Sequence, residues 1–142
     1  MPRIKVDVAE NPIFQTIIPV RITDLNYGNH LGNDSLLSII HEARVQFLYS
    51  LGYSEQNFAG VGLIMADVAI EYKSQGYYAD QLKVSIGVKD ISRVGFDITY
   101  SITKSENGRE IIVAKAKTGM VTFDYSLNKV IELPATFLEK LP

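Results

Sequence analysis

The apolar positions of residues 35–51 repeat with a helical period. Between Ser35 and Leu51 they occupy more than one narrow stripe, which is typical of a helix that is buried on most of its sides. Asn33, Asp34 or Ser35 can cap the start, because their side-chain oxygens accept hydrogen bonds from the free amides of a first turn. Gly52 supplies a stop at the other end. The pattern therefore predicts one long, largely buried helix.

Strand patterns lie on both sides of this helix. Residues 13–21 have strand composition, and Pro19 within them indicates an edge position or a bulge. After Gly60 the apolar period changes to two, which is typical of strands. The segments with this period are residues 63–73, 82–88, 96–102 and 110–125. In the first of them, one predicted face carries Ile64, Ala66, Val68, Ile70 and Tyr72.

Turn signals divide the last part of the chain. Asn107-Gly108 predicts a two-residue hairpin before residues 110–125. Because strands usually have roughly 3–10 residues, we expect this long segment to be bent or interrupted, with Gly119 as the candidate position. Pro134 opens a tail in which residues 135–141 are expected to form a last helical turn.

The order of these elements defines an α+β class. A strand, a long helix and four antiparallel strands predict an antiparallel sheet of about five strands wrapped around one long central helix. No repeat, linker or charge block interrupts residues 1–142, so one domain is expected. One helix cannot cover both the open face and the exposed edge of such a sheet. Dimerisation by sheet extension would protect them, and a groove between protomers would then be lined by both chains.

Composition limits the chemistry that this chain can perform. It is 46% hydrophobic and 21% charged, with a formal net charge of -2 and no cluster of Lys and Arg that would bind duplex nucleic acid. The absence of cysteine excludes disulfides, thiol nucleophiles and thiolate metal sites. His30 and His41 are isolated, so no metal is expected. Without a membrane-spanning apolar run or a signal peptide, we expect a cytoplasmic protein with no membrane partner.

A polar loop before the helix carries a recognisable motif. It reads Asp24-Leu25-Asn26-Tyr27-Gly28-Asn29-His30-Leu31-Gly32-Asn33 and is followed on the helix by His41-Glu42-Ala43-Arg44. These residues resemble the hotdog-fold acyl-CoA thioesterases of the 4-hydroxybenzoyl-CoA thioesterase class, whose signature is Asp-x-Asp-x-x-Gly-His-Val-Asn-Asn followed by Glu-Ala-Arg. The resemblance covers about residues 13–125 and continues in Val68-Ala69-Ile70-Glu71-Tyr72-Lys73-Ser74 and Tyr78-Ala79-Asp80-Gln81-Leu82.

The resemblance implies a hotdog domain that hydrolyses an acyl-CoA thioester to the free acid and coenzyme A. It implies a homodimer or homotetramer, and no cofactor beyond the coenzyme A of the substrate. One departure puts this activity in question, since Asn26 stands where many relatives have a second Asp as nucleophile or general base. A neutral amide cannot attack a thioester or accept a proton as a carboxylate can. The alternative is therefore a non-catalytic protein that binds acyl thioesters.

Three carboxylates are candidates to act beside or instead of Asn26, which can still orient a water or donate to the thioester oxygen. Asp34 lies at the predicted helix start, where it can equally serve as an N-cap. Glu42 lies two turns further on, and a second branch of hotdog thioesterases uses a helix Glu; a structural pairing is its alternative. Asp24 is the third candidate, with an Asx turn as its structural role.

Candidates for substrate binding come from the loop and from a distant turn. The resemblance places His30 and Asn33 on family positions, and the amides of residues 33–36 can hold an oxyanion at the positive end of the helix. Tyr27 is expected at the site, and with Tyr49, Tyr53 and Phe58 it suggests an aromatic or medium aliphatic acyl group, although tyrosines also fill ordinary cores. For the coenzyme A nucleotide we select Arg93 and Gly95, which lie in a turn between strands.

Overall fold

A long helix lies against one face of an antiparallel sheet in the computed structural model, which describes residues 2–142. The long elements are β1 (Phe14–Pro19), α1 (Asn33–Ser50), β2 (Gly62–Tyr72), β3 (Gln81–Lys89), β4 (Gly95–Glu106) and β5 (Arg109–Asp124). A 3-10 turn (Ile22–Asp24), β6 (Lys129–Val130) and α2 (Ala135–Glu139) are short. The strand order is β1-β3-β4-β5-β2, with β6 paired to β5. The predicted α+β arrangement of one long helix on an antiparallel sheet is confirmed.

The core fills the space between α1 and the sheet. The helix contributes Leu36, Ile39, Ile40, Ala43, Phe47 and Leu48, and the strands contribute Val84, Ile86, Ile98, Ile102, Ala114 and Ala116, all buried. The sequence predicts a helix that is buried on most of its sides, and this prediction is wrong. Leu37, His41, Val45 and Tyr49, spaced four residues apart, form an exposed stripe, because one sheet covers only one side of a helix.

An aromatic cluster closes the end of the core beyond the C-terminus of α1. The ring of Phe137, on α2, lies 4.7 Å from the rings of both Phe58 and Phe96, and Tyr53 packs edge-on against Phe58. The last helical turn expected after Pro134 is therefore confirmed as part of the core. Of Tyr53 and Phe58, which the sequence suggested for an acyl pocket, Phe58 is a core residue and the half-buried Tyr53 packs against the core.

A β-bulge in β2 reverses the predicted alternation of this strand. Met65 pairs with Met120 and Asp67 pairs with Gly119, which leaves Ala66 as the extra residue. Because directly paired residues share a face, Met65 lies on the helix side with Met120. Beyond the bulge, Val68, Ile70 and Tyr72 lie on that same side, opposite Thr118, Ala116 and Ala114. The sequence-based grouping of Ile64 with these three residues is wrong, since one inserted residue exchanges the two faces of a strand.

Gly119 marks the position in β5 that faces this bulge. β5 runs without interruption for 16 residues, so an interruption at Gly119 does not occur. At Gly119 the irregularity lies in the neighbouring β2, whereas β5 has its own bulge at Val113, the extra residue between the pairs Ile102–Ala114 and Thr103–Ile112. The Gly119 amide donates to Asp67 Oδ1 at 3.0 Å, and a Cβ at position 119 would lie 2.7 Å from that oxygen.

The segment before β1 crosses the outer face of the sheet, the face opposite α1. Its amides bind three strands in turn: Val6 N–H donates to Glu71 Oε1 at 3.1 Å, Ala9 N–H to Thr99 Oγ1 at 3.0 Å, and Ile13 N–H to the Ile86 carbonyl at 2.8 Å. Val6 is buried. We call residues 5–13 the N-terminal strap. Gly87 makes room for it, because a Cβ at this position would collide with the Cβ of Ala9.

Replacement of Gly87 by Val should detach the N-terminal strap. The added side chain occupies the place of Ala9, and we expect the free energy of unfolding to fall by about 1–3 kcal/mol, the usual cost of overpacking. Limited proteolysis should then cut the first residues faster than in the native chain. Lys83→Val is the matched control, since Lys83 lies on the same strand and face and pairs with Glu110. Equal cleavage of native and Gly87→Val chains would contradict the strap.

Candidate active site

The loop between the 3-10 turn and α1 closes on itself as a small hairpin. Leu25 and Leu31 form a β-bridge, and the Asn26 amide donates to the His30 carbonyl at 2.9 Å. The Asn26 side-chain oxygen accepts from the Gly28 amide at 2.8 Å, which is an Asx turn. Asn29 takes a left-handed conformation with φ of 64°. The side-chain oxygen of Asn26 therefore shapes the loop, and its NH2 group is what it can offer to a substrate.

Two adjoining cavities lie around this loop. The first, of about 420 Å³, is lined by Asn26, Tyr27, Gly28, His30, Gly32, Asn33 and Asp34, and we call it the loop cavity. The second, of about 280 Å³, is lined by His30, Leu31, Gly32, Asn33, Leu36, Tyr72, Lys73, Ser74, Gln75, Gly76 and Val113, and we call it the sheet cavity. They share His30, Gly32 and Asn33. The structure thus brings five sequence-predicted site residues together: Asn26, Tyr27, His30, Asn33 and Asp34.

Asp34 directs its carboxylate back over the loop. A Cβ on Gly32 would lie 2.8 Å from Asp34 Oδ1 and 3.6 Å from the Cβ of Asn26. Both side chains therefore border the space above Gly32, which the side chain of any larger residue would enter. The negative charge of Asp34 also reaches Tyr72, whose pKa is raised above its ordinary value by burial and secondly by this carboxylate.

The carboxylate of Asp34 is not used to cap α1. The N-cap residue is Gly32, which has no side chain, so α1 begins without a side-chain cap hydrogen bond. The sequence-based alternative, in which Asp34 is the N-cap, is therefore wrong. The amides of the first turn lack helical partners, as in any helix, and they carry the positive end of the helix dipole to the loop cavity.

Asp24 has a structural role in the approach to the loop. It is buried, and its Oδ2 accepts from the Arg21 amide at 2.8 Å and from Arg21 Nε at 3.3 Å. Its backbone carbonyl accepts from the Gly32 amide at 3.0 Å. Asp24 thus joins the two ends of the loop and does not line either cavity.

Glu42 faces a different part of the molecule. Its Oε2 accepts from Gln46 Nε2 at 2.8 Å on the next turn of α1. It lines a groove between α1 and β1, together with Ser38, Arg21 and residues 17–19. The structure therefore separates Glu42 from Asn26, His30 and Asp34, and displays the structural pairing that is its alternative.

The two residues predicted to bind coenzyme A lie at the other end of the sheet. Gly95 begins β4 and pairs with Val121, which lies beside Ile64 near the start of β2, whereas the sheet cavity adjoins Tyr72 at the end of β2. Arg93 is exposed and its Nη1 lies 3.5 Å from Glu132 Oε1. A Cβ on Gly95 would collide with the Met120 carbonyl, so the close strand contact requires a glycine here. Within one protomer these residues do not reach the loop.

Sequence reasoning missed the residues that close the sheet cavity. Tyr72 ends β2, and residues 73–76 continue from it to the helix start, where the Leu31 amide donates to the Gly76 carbonyl at 2.7 Å. Leu36 and Val113 supply apolar walls. The family-like pattern at residues 68–74 was the available signal, but only the strand order places the end of β2 beside the start of α1.

The arginine of the Glu-Ala-Arg motif belongs to a polar chain beneath the helix. Arg44 is buried, its Nη1 donates to Tyr100 Oη at 3.3 Å, and that hydroxyl lies 2.7 Å from Thr118 Oγ1. Glu55 Oε2 lies 3.4 Å from Arg44 Nε, and its Oε1 lies 2.7 Å from His41 Nε2. His41 is thereby held to the loop after α1, away from both cavities.

Within residues 2–142, no group of three or more His, Asp or Glu side chains is placed to hold a metal ion. The same residues contain no helix long and apolar enough to cross a membrane.

Comparison with known proteins identifies the family. The family model described as the thioesterase-like superfamily matches residues 20–141, and the chain belongs to this family. A putative esterase of Aquifex aeolicus is 31% identical over 102 residues, covering 70% of this chain and 75% of that protein. A 1,4-dihydroxy-2-naphthoyl-CoA hydrolase of Nostoc punctiforme is 26% identical over 125 residues, covering 86% and 82%. These relatives support a thioester hydrolase.

Solved structures confirm the hotdog fold. A 1,4-dihydroxy-2-naphthoyl-CoA thioesterase from Synechocystis superposes with a TM-score of 0.78 at 23% identity, over 88% of this chain and 92% of that one. The 4-hydroxybenzoyl-CoA thioesterase of Pseudomonas sp. strain CBS-3 gives a TM-score of 0.78 at 16% identity, over 89% and 96%. The class of fold expected from the loop motif is therefore correct.

The Asx turn predicts how the loop responds to changes at Asn26. Asn26→Ala removes the acceptor of the Gly28 amide, and we expect the free energy of unfolding to fall by about 0.5–1.5 kcal/mol, the usual contribution of one hydrogen bond. Asn26→Asp keeps that acceptor and should stay near native stability. Urea titration measures both. If the two variants lose the same stability, the Asx turn does not hold the loop.

Proposed function

We propose that this protein is an acyl-CoA thioesterase in which Asp34 supplies the catalytic carboxylate. The observation that carries the proposal is that Asp34 and Asn26 both border the space above Gly32, where a Cβ would lie 2.8 Å from Asp34 Oδ1 and 3.6 Å from Asn26 Cβ. The family signature has an Asn where this chain has Gly32, and an Asp where it has Asn26. The two departures are coupled, since the smaller residue admits the Asp34 carboxylate to the region from which a carboxylate has been lost.

The reaction needs a base, an oxyanion site and a path for the leaving group. Asp34 accepts a proton from a water whose oxygen attacks the thioester carbonyl carbon. The negative charge that develops on the carbonyl oxygen is held by the free amides at the start of α1 and by the NH2 group of Asn26. The carbon–sulfur bond then breaks, and the sulfur of coenzyme A takes the proton from Asp34. The products are the free acid and coenzyme A.

The sheet cavity is proposed to hold the acyl group. Its walls include Leu31, Leu36, Val113 and the ring of Tyr72, and its volume of about 280 Å³ fits an aromatic or medium aliphatic group. The relatives named 1,4-dihydroxy-2-naphthoyl-CoA hydrolases act on an aromatic acyl group by their names. We therefore propose aromatic acyl-CoA thioesters as the preferred substrates.

A homodimer formed along β2 would bring the proposed coenzyme A residues to this site. β2 is an edge strand, and Met65 and Val68 on its helix side are exposed in the protomer. Antiparallel pairing of two β2 strands sets the Gly62 end of one beside the Tyr72 end of the other. The end of the sheet that carries Arg93 and Gly95 would thereby approach the cavities of the opposite chain, where a guanidinium suits phosphate groups.

A protein that binds acyl thioesters without hydrolysing them is the second candidate. Asn26 favours it, because an amide cannot act as a base. One structure of the same fold is a 4-hydroxybenzoyl-CoA thioesterase with an Asp-to-Asn mutation, complexed with 4-hydroxybenzoyl-CoA. Loss of a carboxylate is thus compatible with substrate binding in a hotdog protein.

Hydrolysis of benzoyl-CoA and related aromatic and aliphatic acyl-CoAs should depend on Asp34. We expect Asp34→Asn to lower kcat by about 10²-fold or more, the usual contribution of a general base, with a small change in KM. Gly32→Ala should have a similar effect, because its methyl group displaces the Asp34 carboxylate. Release of the coenzyme A thiol, followed with a thiol reagent, measures the rate.

Further variants distinguish the alternatives. Loss of activity in Glu42→Gln or Asp24→Asn, with Asp34→Asn fully active, would move the carboxylate to one of those residues. Binding by the native chain without turnover, with turnover gained in Asn26→Asp, would establish the binding protein instead. Glu139→Gln, on the exposed surface of α2, controls for a general effect of carboxylate loss.

Sedimentation velocity tests the proposed dimer. The native chain should sediment as a dimer or a larger even-numbered assembly, and Val68→Lys should shift it toward the monomer. The reason is that like charges facing each other across paired strands are unfavourable and lysine protects strand edges. Leu127→Lys, at an exposed turn, should leave the assembly intact. A native monomer at micromolar concentration would contradict the proposal.

A further inference from the structure

A buried lysine lies behind the sheet cavity. Lys104, on β4, has a side chain that is only 4% exposed. Its ammonium donates to the Gln75 carbonyl at 2.8 Å and to Asp80 Oδ2 at 3.0 Å, and it lies 4.9 Å from the centre of the Tyr77 ring. These three partners belong to the connection between β2 and β3, and we call residues 75–80 the cavity turn. Glu106 Oε2, further along β4, lies 3.6 Å from the same ammonium.

Asp80 completes the attachment of the cavity turn to this lysine. The same carboxylate oxygen that accepts from Lys104 also accepts from the Tyr77 amide at 2.8 Å. One ammonium and one carboxylate therefore fix the turn at its first residue, its middle and its last residue. A buried ammonium such as that of Lys104 is stable only while its hydrogen-bond and charge partners remain in place. The position of the cavity turn and the position of Lys104 therefore depend on each other.

The cavity turn also binds the chain on both sides of Asn26 and His30, at Val20 before the 3-10 turn and at Leu31 before α1. At the entry, the Val20 amide donates to the Asp80 carbonyl and the Ala79 amide donates to the Val20 carbonyl, each at 2.9 Å. At the exit, the Leu31 amide donates to the Gly76 carbonyl at 2.7 Å. The fit at this second point is close, because a Cβ on Gly76 would lie 3.1 Å from Leu31 Cβ.

We propose that Lys104 is a positioning residue of the candidate active site, which acts through the cavity turn to hold Leu31 and, with it, the neighbouring His30 and Gly32. Lys104 does not line either cavity and touches no reacting group. Its role is to keep the Gly76 carbonyl where the Leu31 amide reaches it, so that the start of α1 and the wall of the sheet cavity stay in register. Only the catalytic consequence rests on the proposed thioesterase function.

Amide hydrogen exchange in Lys104→Met tests the inference without any substrate. We expect the Leu31 amide to exchange roughly 10-fold faster or more, while core amides of β3 such as Val84 keep their native rates, because a local opening leaves the global unfolding free energy in place. Lys104→Arg, which keeps a cation and donors, should restore much of the protection. Lys83→Met removes a half-exposed lysine on β3 and should change neither rate.

Two further variants address the same contact by different routes. Asp80→Asn keeps the acceptor of the Tyr77 amide but loses the nearer of the two carboxylates that pair with Lys104, and it replaces Lys104→Met as the test if that variant does not fold. Gly76→Ala leaves Lys104 intact and displaces Leu31 directly, so it should reproduce the faster exchange. In each variant that folds, kcat should fall by roughly 10-fold, a usual effect of small misplacement at a reacting centre, with KM changing less.

The outcomes separate this inference from the proposed function. Native exchange of Leu31 in both Lys104→Met and Asp80→Asn would overturn it, as would equal acceleration of Leu31 and the β3 core amides. Faster exchange of Leu31 alone supports it, even if the native chain hydrolyses no acyl-CoA. In that last case the thioesterase proposal fails, whereas the positioning of the loop by Lys104 stands.

Discussion

The burial of one side of a single helix against one sheet is the constraint on which the rest of this structure depends. Leu36, Ile40 and Phe47 of α1 are almost fully buried against the strands. With only one helix, the sheet keeps an open edge at β2, and the helix keeps an exposed stripe that includes Leu37, Val45 and Tyr49. The same packing sets the start of α1 beside the end of β2, which is where both cavities form.

Local patterns in the sequence predict most of the regular structure. The helical period gives residues 35–51 against an observed α1 of Asn33–Ser50, and the five long strands agree in number and order along the chain, whereas the short β6 was not predicted. The bulge at Ala66 escaped prediction, because this small apolar residue continues the alternation and only the pairing with β5 reveals the extra residue. The N-terminal strap was not predicted for a different reason, since its contacts depend on Gly87 and Thr99, which are far away in the chain.

Some residues of the candidate site can be predicted from the local sequence, and others reach it only through the fold. Asn26, His30, Asn33 and Asp34 are contiguous in a motif, so the sequence predicts that they act together. Tyr72 and Gly76 reach the site only through the strand order, and no local pattern could have placed them there. The motif also does not show which acidic residue is available for catalysis. In the structure Asp24 is bound by Arg21 and Glu42 is bound by Gln46, whereas the Asp34 carboxylate does not cap its helix.

The position of Asp34 also suits the movement of charge in the proposed reaction. Before the attack on the thioester, the negative charge resides on the carboxylate at the first turn of α1; after proton transfer it resides on the carbonyl oxygen beside the same amides. Both places lie within the field of one helix start, which favours negative charge. The charge therefore moves a short distance between two sites that are stabilised alike, and the protein dipoles need little rearrangement during the step. A carboxylate on the loop at position 26 would meet the same condition, so the proposed transfer of the catalytic role from position 26 to Asp34 would keep the same electrostatic arrangement.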